Sequence, residues 1–244
     1  MAVTAPVQMM PEQNVPAMSP VGLYAAAVMV DTNRPLAYGV DVPVDMLGGH
    51  GLWGDPCEPG ERTKSGGDTQ TTIRFPGVGV WAADECSLVG RTEEQSRAAA
   101  QRYLRATEGV DAERFAAETL KARAVAGTSV AAAEAMFMAE GMSPVVHVRP
   151  SDVAGLLKAK MIYSANSGLK TLLGSTVAVG AGYEEALDGI YLTGPVTVYR
   201  MPVDVDSAVD IAANTRLTIA EREIAVAWQG QAVKVASSTV EGGA

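Results

Sequence analysis

Two histidines, two cysteines and a glycine-rich stretch are the residues in this chain that could do chemistry. Gly49, Gly51 and Gly54 match the G-x-G-x-x-G spacing that cradles a pyrophosphate. That motif works only between a strand and the N-terminus of a helix, whose free N–H groups hold the phosphates. Asp55-Pro56 follows here and starts no helix, so no dinucleotide site is read. His147 lies inside the apolar run Val145–Val148 and reads as a hydrogen-bonded structural histidine. His50 lies in the glycine-rich stretch as a surface or contact residue. With Cys57 and Cys86 they form neither C-x-x-C nor H-x-x-x-H spacing, so no zinc site is expected. Cys57 and Cys86 leave two readings open, a pair of free thiols in a reducing cytosol or a staple across a long loop. Acidic residues such as Asp31, Asp41, Asp45 and Asp55 are scattered, and nothing isolates a catalytic pair. No nucleophile–base constellation is present, and no cofactor is expected.

The elements around these residues explain more than the residues do. The chain has 244 residues, of which 48% are hydrophobic and 5% aromatic, with 25 glycines, 13 prolines and a net charge of −9. That composition builds a real core and excludes global disorder. The acidic balance excludes a nucleic-acid reader, which needs clustered Lys and Arg to neutralise phosphates. Residues 1–20 are rich in Met and Pro, lack Lys and Arg, and read as an extended arm, not a secretory signal. The longest apolar run, Val21–Val30, is too short to span a bilayer. An intracellular soluble protein is expected.

Residues 21–46 read as one or two extended strands, and 47–76 as a long polar loop with a strand-like exit at Thr71–Phe75. Such a loop inside a compact domain is either functional or supported from outside. Thr92-Glu93-Glu94-Gln95 fits a capping box opening a helical section over 92–124. Glu108-Gly109 interrupts that section, so one kinked helix or two helices in line are expected. Phe115, Thr119 and Ala122 share one face, with Ala116 and Leu120 beside it. Thr128 or Ser129 caps a helix Val130–Glu140, which ends at Gly141. Val145–Val148 is a buried strand, and Ser151 caps a helix Asp152–Ile162. Val177–Val179 is a strand, and Ile190–Arg200 a strand broken at Gly194-Pro195. Asn214–Ala220 alternates as a strand should. Ile224–Trp228 and Ala232–Val235 read as a hairpin turning at Gln229-Gly230-Gln231. The class is α+β.

The order of these features resembles the major capsid proteins of tailed bacteriophages, the Hong Kong 97 fold, which encapsulin shells share. Ser143–Pro150 resembles the family's strand leading to its axial-domain helix. Leu173–Gly180 and Ile190–Val198 resemble the strands beyond. Asn214–Trp228, with Ala220-Glu221-Arg222, resembles the return segment. Trp81–Ser87 is similar to shell proteins of phages that infect actinobacteria. The resemblance covers most of residues 75–238. It implies an N-terminal arm at 1–20, extended strands and an E-loop over 21–90, and a spine helix region at 91–125. Peripheral and axial domains then interleave over 126–244. The chain is short for the family, which implies a compact E-loop or axial domain.

The implied function is a non-enzymatic shell subunit, assembling with itself as pentamers and hexamers around double-stranded DNA. Scaffolding, portal or decoration proteins are the further partners implied, with no membrane. Assembly in the host cytoplasm and residence in the virion follow. Some members join subunits through a Lys–Asn bond, for which Lys64 with Asn166 or Asn214 are the candidates here. The alternatives are an encapsulin-type compartment, a tail or connector protein, or a small α+β enzyme.

Overall fold

A computed structural model describes residues 19–43 and 72–236. A short helix α1 (Leu23–Ala26) precedes strands β1 (Val28–Asp31) and β2 (Val40–Pro43). Then come β3 (Thr72–Phe75), β4 (Gly77–Ser87) and the long helix α2 (Glu93–Arg123). β5 (Val125–Ala126), α3 (Val130–Ala139) and β6 (Val145–Val148) follow. A 3₁₀ turn at Pro150–Asp152 leads into α4 (Val153–Lys158), β7 (Ile162–Ala165), β8 (Gly168–Thr171) and β9 (Thr176–Val179). The chain closes with α5 (Tyr183–Ala186), β10 (Ile190–Thr193), β11 (Val196–Arg200), β12 (Asp204–Asp210), β13 (Thr215–Trp228) and β14 (Val233–Val235).

Helix α2 starts where its sequence says it should. Thr92 Oγ1 accepts from the Gln95 amide at 3.2 Å, and Gln95 Oε1 accepts from the Thr92 amide at 3.0 Å. Glu93 and Glu94 in the first turn and Lys121 and Arg123 in the last complement the helix dipole. The helix runs unbroken through Glu108-Gly109 for 31 residues, about 46 Å at 1.5 Å per residue. A mid-helix glycine costs about 1 kcal/mol against alanine. Packing offsets that cost here, because Leu104, Glu108 and Ala112 are all fully buried. The buried face is Ala112, Ala116 and Leu120 with Glu113 and Ala117. Phe115 and Thr119 lie half-buried on its flank and Ala122 is exposed, so the face is rotated from the expected one. Its small side chains let the helix lie close on β4, β12 and β13.

Two sheets carry the fold. In the first, β13 is the shared strand. It pairs with β4 along one edge, from Thr215↔Ser87 to Ala225↔Gly77. Along its other edge it pairs with β12 and then β11, and β1 adds to β11 in parallel. The second sheet has seven strands in the order β5-β14-β10-β6-β9-β8-β7. A separate antiparallel pair, β2–β3, brackets residues 44–71. The expected loop, with His50, Cys57 and Lys64, lies almost wholly outside the described residues, as do most of the arm and residues 237–244. One core cluster lies beneath α2, and a second lies around Phe137, Val146 and Leu192.

Several expectations are corrected. Residues 21–46 contain a helical turn at Leu23–Ala26 besides their two strands. Ser151 lies in the 3₁₀ turn and caps nothing, and the helix after it stops at Lys158, so Ile162 is a strand residue. Ser129, not Thr128, caps α3, accepting from the Ala132 amide at 3.1 Å. The hairpin at Gln229–Gln231 does not form. β13 pairs with β11 and β14 with β10, in different sheets. The chain passes from the second sheet to the first at Gly194-Pro195 and returns at Gly230, whose φ is +72°. The two crossings hold each other: the Gly194 amide donates to Gln229 O at 3.1 Å, and the Gln229 amide to Pro195 O at 3.2 Å.

A Cβ at Gly194 would sit 2.5 Å from Gln229 O. Gly194→Ala is therefore expected to lower unfolding free energy by about 1–3 kcal/mol. A Cβ at Gly79 meets nothing within 4 Å, and Gly79→Ala should stay within about 0.5 kcal/mol of the parent. Urea denaturation of the two variants checks both values.

Candidate functional site

Of the residues with chemical potential, His147 is engaged in holding the structure together. His147 is 1% exposed. Its Nε2 lies 3.0 Å from Thr193 Oγ1 and its Nδ1 2.9 Å from the Tyr183 hydroxyl. Thr193 donates its own proton to Gly194 O at 2.9 Å, so Thr193 Oγ1 accepts from His147. Nε2 therefore carries the proton, and Nδ1 accepts from Tyr183. Burial raises the Tyr183 pKa well above its usual value, which keeps that donor protonated. Burial lowers the His147 pKa to about 3. A neutral histidine with both nitrogens engaged is a cross-brace between β6, β10 and α5, as its apolar strand implies.

Cys86 is half-buried, with its sulfur 3.7 Å from Ser96 Oγ. Ser96 in turn donates to Asp84 at 2.7 Å, and Arg91 donates to the same carboxylate at 2.6 Å. Asn166 is exposed in the turn between β7 and β8. Asn214 is exposed, has φ of +53°, and donates from its amide to Ser87 Oγ at 3.4 Å. Cys57 and Lys64, the residues proposed to pair with these, lie outside the described residues. Among the described residues, no group of His, Cys, Asp and Glu could hold a metal ion, and no helix is long and apolar enough to cross a membrane.

The group that sequence reading missed is a pair of buried carboxylates on α2. Glu108 is fully buried. It accepts from the Tyr24 hydroxyl at 2.7 Å and lies 3.3 Å from the Arg222 guanidinium on β13. Burial, followed by the charge of Glu108, pushes the Tyr24 pKa up. Glu113 lies about one and a half turns further on. It accepts from the Leu23 amide at 3.0 Å and the Gly182 amide at 2.9 Å. Burial raises its pKa, against the lowering effect of those two N–H donors. Gly22, Gly180 and Gly182 crowd this carboxylate so closely that a Cβ at any of them would lie within 2.8 Å of a Glu113 atom. Together the two acids tie the N-terminal segment, the first sheet and the loop before α5 to one helix. The signal was a Glu in phase with Ala112 and Ala116, on the face where charge should not be.

The outer surface is unfinished in several places. Val89, Ile211 and Tyr38 are each 84–89% exposed. Among the described residues, β12, at one edge of the first sheet, and β7, at one edge of the second, have one unpaired side each. Exposed apolar side chains and open strand edges are features that contact with another chain can cover.

No family model and no curated protein matches the sequence. Solved structures do match. A chain described as the capsid of an empty GTA particle computed with C5 symmetry shares 13% identity at a TM-score of 0.57, over 94% of both chains. The capsid of the native GTA particle gives 13% and 0.56, over 96% of this chain and 94% of that one. A chain from Mycobacterium phage Cain gives 13% and 0.51, over 94% of both.

Unfolding exposes His147, which then titrates near 6.5 while the native form resists protonation until about pH 3. The stabilisation is therefore complete above about pH 6.5 and is lost as pH falls towards 3, with a limiting slope of about 1.4 kcal/mol per pH unit. His147→Gln should remove that slope between pH 6.5 and 5. Chemical denaturation of both proteins across this interval checks it; equal slopes would refute the assignment. Two interleaved sheets clamped to one long helix, matched end to end by these capsid chains, give this chain the Hong Kong 97-type capsid fold.

Proposed function

We propose that this chain is the major capsid protein of a tailed phage, a structural subunit that assembles with itself into an icosahedral shell around double-stranded DNA. The observation that carries the reading is the end-to-end match to the GTA capsid chains, over 94% of each chain in the first case. Those capsids were computed with C5 symmetry. A fivefold ring needs two different surfaces on each subunit, one for each neighbour. The open edges and exposed apolar side chains supply such surfaces.

On this reading residues 1–20 are the arm and 21–90 hold the strands and the E-loop. α2 is the spine helix, and the two sheets form the peripheral and axial domains. Pentamers and hexamers are the assembly units, built in the host cytoplasm and kept in the virion. Net charge of −9 suits a wall that encloses nucleic acid without gripping it.

Sedimentation velocity of the purified protein tests this. Rings or megadalton particles that grow with concentration are expected. A single species of one-chain mass at every concentration would refute the shell reading.

A further inference from the structure

Charge is unevenly distributed along this acidic chain. Between Val153 and Tyr183 there are Lys158, Lys160 and Lys170 and no Asp or Glu. The whole chain carries −9, so with these three lysines set aside the remainder carries −12. The fold gathers this segment at one edge of the second sheet. α4 ends at Lys158, and Lys160 turns the chain with φ of +56°. β7 and β8 then form the outermost antiparallel pair. The register Ile162↔Thr171 sets the turn at Lys160 beside Leu172 and Leu173.

This tip is also apolar. Leu172 is 72% exposed, Leu173 51%, and Leu157 and Tyr163 44% each. Tyr163 faces Lys170 across the strand pair. Lys170 donates to Thr176 Oγ1 at 2.8 Å. Lys158 and Lys160 are exposed, with no acidic partner among the described residues. The support beneath is firm. Thr171 donates to the buried Glu134 of α3 and accepts from the Ser175 amide at 3.1 Å. Among the described residues, no further strand pairs with the outer edge of β7.

We infer that this tip is the basic, apolar half of a head-to-tail contact whose other half is the acidic surface of a second copy of this chain. Copies that each carry −9 repel one another at long range. An unlike-charge contact overcomes that repulsion locally and fixes orientation. The exposed leucines supply the desolvated centre, and Lys158 and Lys160 its charged rim. A contact between two different surfaces propagates from copy to copy and closes where the rotation allows. The inference rests on the shell reading and deepens it, by naming the surface and the chemistry of its partner.

The test compares the parent protein with Lys158→Glu/Lys160→Asp. Aspartate is chosen at 160 because it tolerates the left-handed backbone there. Both positions are exposed, so the melting profile and circular dichroism should match the parent. The assembly concentration read by sedimentation should rise at least about tenfold in the variant. A neutral variant, Lys158→Gln/Lys160→Asn, should fall between. Parent assembly should also weaken as salt rises through the range where the Debye length drops below about 8 Å. Carbodiimide coupling of mixed heavy- and light-isotope chains should give mixed-label peptides joining Lys158 or Lys160 to an Asp or Glu. Unchanged assembly by the charge-reversed variant, or coupling confined to single chains, would overturn the inference and leave the shell reading standing. A parent protein that never assembles would overturn both.

Discussion

The two carboxylates buried along α2, about 140° apart around its axis, are the constraint on which the rest of the molecule depends. An ionised group out of water must be paired or hydrogen-bonded. Glu108 meets that demand with Tyr24 and Arg222, and Glu113 with the amides of Leu23 and Gly182. The partners come from three distant parts of the sequence. The helix is therefore joined through these two acids to the N-terminal segment, β13 and the loop before α5. Removing one member of such a set leaves a buried charge unmatched, which costs far more than the pair itself contributes. The glycines at 22, 180 and 182 follow from the same demand, since only a bare backbone comes close enough.

The second constraint is the double crossing between sheets. β10 and β11 are consecutive in sequence but lie in different sheets, and so do β13 and β14. Gly194 and Gln229 bind the two crossings to each other. One sheet therefore cannot turn freely against the other. On the proposed shell reading, this stiffness would hold the subunit's contact surfaces at fixed angles to its neighbours. His147 serves it too, as a neutral brace from β6 to β10 and α5.

Much of the local structure was legible in the sequence because its causes are local. Thr92 and Gln95 announce the start of α2, Thr128-Ser129 that of α3, and the apolar run at Val145–Val148 a strand buried on both faces. His147 was readable as structural from its apolar neighbours. Pairing across the chain was not legible. Gln229-Gly230-Gln231 has the composition of a hairpin turn, yet the partner of β13 is set by residues far upstream. Glu221-Arg222-Glu223 falls between the strands expected at Asn214–Ala220 and Ile224–Trp228. It lies within a 14-residue strand, because Arg222 turns inward to Glu108. The carboxylates of α2 escaped for the same reason. A glutamate among alanines becomes informative only when its partner is known, and the partner is far away in sequence.

On the shell reading proposed above, copies of this chain complete one another's surface. Among the described residues, β12 and β7 each keep one unpaired edge and several leucines stay exposed. Negative-stain electron microscopy of the purified protein tests that account most directly. The account predicts closed shells of uniform diameter, with fivefold or sixfold rings as their precursors. A field of separate single-chain particles at high protein concentration would contradict it.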